Sequence, residues 1–92
     1  MSMHTTWRPL AAPYDINDNG KLDPRERRAL PDSAFAFPEQ RELPLVDADL
    51  TRAAIAELSQ FHHSSEAERR LAANNIRAAA RHFGITVTEL AL

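Results

Sequence analysis

In the run Asp15-Ile16-Asn17-Asp18-Asn19-Gly20-Lys21-Leu22-Asp23-Pro24-Arg25-Glu26, oxygen-bearing side chains recur at alternate positions. Calcium takes roughly six to eight hard oxygen ligands at about 2.3–2.6 Å, and a tight loop supplies them from alternating residues. Asp15, Asn17 and Asn19 each offer one side-chain oxygen. Lys21 offers its backbone carbonyl, so its positive side chain is no objection. Asp23 acts directly or through water, and Glu26 closes the shell with two oxygens. Gly20 permits the positive φ of the sharp bend, and Leu22 is the apolar residue expected beneath the loop. Only Asp15, Asp23 and Glu26 among these ligands are anionic, so the expected affinity is weak, on the order of 10⁻⁵–10⁻³ M.

The same letters admit a metal-free account. Asn19-Gly20 is a turn dipeptide. Asp23-Pro24-Arg25-Glu26 starts a helix, with Asp as N-cap, Pro at the first helical position and Glu reaching back. That account uses Gly20, Asp23 and Glu26 but gives no reason for Asp15, Asn17 and Asn19 at alternate positions, which favours calcium. At every position that the pattern fixes, the run resembles a single EF-hand calcium loop. Pro9 and Pro13 stand where an entering helix would lie, and proline interrupts helices. The likeness is therefore nearer to the loop-plus-exit-helix motif of dockerin-like modules, here in one copy.

The elements that must position this loop follow from the rest of the chain. Residues 1–14 read as an extended arm in which Trp7, Leu10 and Tyr14 can pack down. A short helix is expected from Pro24 to about Leu30, ended by Pro31. Pro31, Pro38 and Pro44 exclude a long helix over residues 31–46. Phe35 and Phe37 alternate with small residues, so they share one side of an extended segment. With no second strand evident, that segment is expected to be a strap laid on a helical core.

From Asp47, an N-cap, the period becomes helical. Leu50, Ala54, Leu58 and Phe61 fall on one face of a helix reaching about His62, flanked by Ile55. Ser65-Glu66-Ala67-Glu68 is a capping box that opens a helix ending near Phe83 at Gly84. Its apolar stripe is Ala72, Ile76, Ala79 or Ala80, and Phe83, with Leu71 beside it. Thr86-Val87-Thr88-Glu89 repeats the capping pattern and predicts a last helical turn. Two such helices on a short connection predict an antiparallel hairpin. The expected fold class is thus all-α: an N-terminal part, residues 1–46, and a helical hairpin, residues 47–92, in one compact domain.

Leu30-Pro31-Asp32-Ser33-Ala34-Phe35-Ala36-Phe37-Pro38 carries a second likeness, together with Arg41, Pro44, Asp47, Arg52, Ala54, Ile55, Ser65–Arg69, Ile76, Ala78–Ala80 and Gly84-Ile85. Through these residues the stretch 30–87 resembles an uncharacterised family of small bacterial and phage-borne helical domains. Its members often carry a histidine where this chain has Leu50, so a role tied to that histidine does not transfer. The resemblance implies a compact helical domain and no activity.

Composition narrows the remaining chemistry. The chain has 92 residues, 43% hydrophobic and 26% charged, with a net charge of −2, two glycines and no cysteine. A chain of this size buries only roughly 60–65% of its unfolded surface, so a metal or partner can matter to its stability. Its charge gives no general attraction to nucleic acid. No apolar stretch approaches the ~20 residues of a membrane span, and Met1–Trp7 lacks the apolar core of a signal peptide; the expected location is cytoplasmic. His62 and His63 are adjacent and diverge by about 100° on a helix; adding His82 completes no zinc set. Arg70, Asn74, Arg77 and Arg81 form a polar stripe that could meet phosphates, although Glu66 and Arg70 also pair at helical spacing. With no nucleophile elbow and no phosphate-cradling glycine loop, no enzyme activity is expected.

The reading is a non-enzymatic calcium-binding interaction module with an unidentified protein partner. The alternatives are a nucleic-acid-associated module using Arg70, Arg77 and Arg81, and a metal-independent structural adaptor.

Overall fold

The computed structural model describes residues 4–10, 24–60 and 65–87. Three helices are present among them: α1 (Pro24–Ala29), α2 (Ala48–Glu57) and α3 (Glu66–Phe83). Two short strands, β1 (Phe35–Phe37) and β2 (Glu42–Pro44), lie between α1 and α2. They pair antiparallel, with Phe35 opposite Pro44 and Phe37 opposite Glu42.

That pairing corrects the all-α expectation: the fold is mixed α/β. The strap does have a partner strand, which its own composition conceals. Glu42-Leu43-Pro44 carries a single non-proline apolar residue, and its proline has no N–H to donate. The backbone turns without glycine, Arg41 at the end of the turn taking a positive φ of 55°, and Leu43 within β2 takes one of 59°. Pairing continues past β2, where the Leu45 N–H donates to the Ala34 carbonyl at 2.8 Å.

The helix boundaries follow local chemistry. Pro24 opens α1, and Pro31 lies just past its end. The Asp47 carboxylate accepts from the Leu50 N–H at 2.7 Å and caps α2. A 3-10 turn, Leu58–Gln60, prolongs α2, so helical structure runs to Gln60; Phe61 and His62 lie outside the described residues. In α3 the capping box is reciprocal: Ser65 Oγ accepts from the Glu68 N–H, and the Glu68 carboxylate accepts from the Ser65 N–H. Gly84 ends α3 in the left-handed conformation at φ 73°, which a residue with a Cβ resists. Beyond it, residues 85–87 are non-helical; the rest of the predicted last turn lies outside the described residues.

β1 packs on α3, β2 on α2, and α2 on α3. The main core joins Trp7, Ala36, Phe37, Leu43 and Leu45 to Ala54, Leu58, Ala72, Ala73, Ile76 and Ala79. Of the expected helical stripes, Ala54 and Leu58 in the first and Ala72, Ile76 and Ala79 in the second thus face inward, with Ile55 and Phe83 partly buried against them, while Leu50 is only half-buried. A smaller cluster holds Leu30, Ala34 and Phe35, with Leu10 and Val46 against it. β1 is buried at all three positions, and its two phenylalanines serve different clusters. Burying a phenylalanine side chain contributes about 1.5–3 kcal/mol, so the strand is a principal source of cohesion.

Candidate functional site

Of the predicted calcium ligands, Glu26 alone lies among the described residues. Asp15, Asn17, Asn19, Lys21 and Asp23 lie outside them. Glu26 is half-buried in the first turn of α1, where a carboxylate also meets the positive end of the helix dipole. Among the described residues, no group of three or more His, Asp or Glu side chains could hold a metal ion.

What the described residues do show is how the segments flanking the loop are seated. On the N-terminal side, residues 4–10 form no helix, as the extended-arm reading requires. Asn75 of α3, fully buried, holds this arm. Its Oδ1 accepts from the N–H groups of Thr6 at 2.8 Å and Trp7 at 3.0 Å. Its Nδ2 donates to Thr6 Oγ1 at 3.1 Å and to the Ala36 carbonyl of β1 at 2.9 Å. An amide has two acceptor sites and two N–H donors, so every one is used. One side chain thus ties the arm, α3 and β1 together.

Trp7 adds the apolar half of this anchorage. It is 8% exposed, and its Nε1 donates to the Leu45 carbonyl at 3.1 Å. Its ring stands edge-on to Phe83, with centroids 6.0 Å apart, and lies 5.5 Å from the His82 ring. Further along the arm, the Arg8 N–H donates to the Ser33 carbonyl at 3.1 Å.

On the C-terminal side of the loop, α1 is held by Arg41. Its Nη2 donates to the carbonyls of Arg27 at 2.9 Å and Leu30 at 2.7 Å. The Arg27 carbonyl, in the last turn of α1, also accepts the Leu30 N–H at 3.2 Å, while the Leu30 carbonyl lies just past the helix end, where backbone acceptors lack intrahelical donors. Arg41 Nη1 donates to Asp32, and the guanidinium lies 4.7 Å from the centre of the Phe35 ring.

Sequence reasoning missed both Asn75 and Arg41 as structural centres. Asn75 had a signal: it falls three residues after Ala72 and four before Ala79, on the buried face of α3. A polar residue on such a face needs partners. Its neighbour Asn74, assigned to the arginine stripe, donates instead to the His4 carbonyl at 3.1 Å. Within that stripe Arg70 pairs with Glu66 and Arg77 donates to Asn74 Oδ1, at 3.1 and 3.2 Å. Arg77 and Arg81 both line a shallow cleft beside Ile85 and Val87.

These features define a small mixed α/β module in which the two fully buried polar side chains among the described residues, Thr51 and Asn75, bond within the chain itself. The chain belongs to a family of unknown function, DUF6582, whose model matches residues 13–90. No curated protein and no solved structure matches it. No helix among the described residues is long and apolar enough to cross a membrane.

Proposed function

We propose that this protein is a small non-enzymatic interaction module whose loop over residues 15–26 binds calcium and is ordered by it. The observation that carries the reading is the ligand spacing in the sequence: oxygen donors at Asp15, Asn17, Asn19 and Asp23, the Lys21 carbonyl, Gly20 at the bend and Glu26 at the close. Two structural facts support it. The helix following the loop begins at Pro24 and carries Glu26 in its first turn, as a loop-plus-exit-helix motif requires. Residues 4–10, before the loop, are non-helical and seated on the same body, with Leu10 packed against the Leu30, Ala34 and Phe35 cluster.

Calcium added to chelator-treated protein is expected to raise the melting temperature and move the Asn17, Asn19 and Gly20 amide resonances. Asp15→Ala combined with Glu26→Ala removes both responses. An unchanged melting curve and spectrum at millimolar calcium would refute the reading and leave a turn followed by a capped helix.

A further inference from the structure

An open groove of about 380 Å³ runs where the arm, the β1–β2 turn and the start of α3 meet. Its apolar surface comes from Phe37, Pro38, Ala67 and Leu71, and its charged rim from Glu39 and Glu68. His4 and Thr6 of the arm and Gln40 of the turn complete the wall. Among the described residues, no lysine or arginine lines it. The size falls at the lower end of the roughly 300–1,000 Å³ of ligand pockets, enough for a large apolar side chain with its flanking backbone.

The walls are set before any partner arrives. Gln40 Nε2 donates to the Glu68 carboxylate, joining the turn to α3. Glu68 is also fixed by its capping box with Ser65. The turn is held from behind by the Arg41 guanidinium on α1. A preformed groove lowers the ordering cost of binding. The Ser65 N–H and the Gln40 amide hold the Glu68 carboxyl below the usual glutamate range, so it meets the groove as a carboxylate. Glu39 of the turn is exposed and also lines the groove. An apolar surface bordered by two carboxylates, with no lysine or arginine among its described lining residues, suits a positively charged occupant with an apolar anchor.

We propose that this groove docks a basic segment of a partner protein, seating one bulky apolar side chain on Pro38, Ala67 and Leu71 while flanking lysines or arginines face Glu39 and Glu68. Basic flanks complementary to the acidic rim would speed encounter and set register, and the apolar anchor would supply most of the affinity. The proposal stands on described residues and is independent of calcium binding.

The test uses a fluorescein-labelled peptide with one tryptophan between two pairs of lysines, and two controls. One control has glutamates for the lysines; the other has alanine for the tryptophan. The full chain should bind the first peptide saturably, with amide shifts concentrated in Phe37–Gln40 and Ala67–Leu71. Both controls should bind roughly tenfold more weakly or worse. Ala67→Arg places bulk and positive charge at an exposed helical position and should abolish binding with α3 intact by circular dichroism. Glu39→Lys should weaken binding and flatten its salt dependence. Absence of saturable binding, equal binding of the acidic control, or undiminished binding to Ala67→Arg would each overturn the proposal.

Discussion

Arg27 and Arg41 hold each other through their backbones: each guanidinium donates to the other's carbonyl oxygen, at 2.7 Å from Arg27 and 2.9 Å from Arg41. Both also lie over the Phe35 ring, at 5.6 and 4.7 Å from its centre. Two like charges share one site because neither needs the other's charge; each finds acceptors, and carboxylates balance them. Arg27 pairs with Glu42 at 3.1 Å, and Arg41 pairs with Asp32. The arrangement locks α1 to the strand turn, and it holds Arg41 at a φ of 55° that a residue with a Cβ rarely adopts.

Arg41→Lys should therefore destabilise the fold despite conserving charge. A guanidinium spans two carbonyls and a carboxylate while its plane meets the ring; an ammonium cannot reproduce that geometry. The expected loss is about 1–2 kcal/mol from the missing hydrogen bonds, read from the midpoint of urea denaturation. Arg41→Ala should cost more, since the carbonyl of buried Leu30 then loses its donor. Wild-type stability in the lysine variant would show that the clasp is ornamental.

Asn75→Ala should cost about 3 kcal/mol, because it strands the N–H groups of Thr6 and Trp7 and the Ala36 carbonyl. Asn74→Ala, beside it in sequence, removes a bond to the His4 carbonyl on a more exposed face and should cost well under half as much. Trp7 is the only tryptophan in the chain, so its emission reports the arm directly. A red shift in Asn75→Ala but not in Asn74→Ala is the expected signature.

These two residues also show where sequence reasoning succeeds and where it stops. Asp47, Ser65–Glu68 and Gly84 were legible because a cap is local: the side chain and the backbone it serves are at most a few residues apart. The inward stripe of Ala72, Ile76 and Ala79 was legible because it repeats. Asn75 acts through partners 39 and 69 residues away, which no local pattern records. β2 was hidden for a different reason. Positive φ falls at Arg41 in its turn and at Leu43 within β2 itself, in place of glycine, so the usual hairpin signal is missing, and Arg41 is held by contacts with α1. For the proposed calcium loop, the sequence spacing supplies the ligand argument, while the described structure shows only the seating of its flanks.

The start of α3 should weaken in acid on a schedule set by Glu68. Its carboxyl is held below the usual glutamate range first by the Ser65 N–H, then by the Gln40 amide and the Ser65 hydroxyl. A carboxyl whose folded pKa is depressed stabilises the fold fully above its unfolded pKa and loses that contribution as pH falls through the folded value. Glu68→Gln should thus be less stable than the wild type at neutral pH, with the gap closing as pH drops through the carboxylate range. Amide exchange at Ser65–Glu68 measures it; a gap constant with pH would mean that charge plays no part in the cap.

Calcium binding and arm docking should be coupled, because residues 11–23 join two segments already seated on one body. Trp7 and Thr6 hang from Asn75 on one side, and α1 is held by Arg41 on the other. Fixed ends leave less chain entropy to remove when the loop closes around an ion. Releasing the arm returns that cost to the binding step, and linkage requires calcium to favour the docked arm by the same factor. Asn75→Ala should accordingly weaken calcium binding by roughly fivefold or more, the lower end of ordinary coupling between sites. Calorimetry gives the affinity, and Trp7 emission gives the arm's response in the same titration. Equal calcium affinity in the two proteins would mean that the loop closes independently of its arm, whereas no calcium binding by either would remove the ion itself and leave Asp23 and Glu26 to the helix cap.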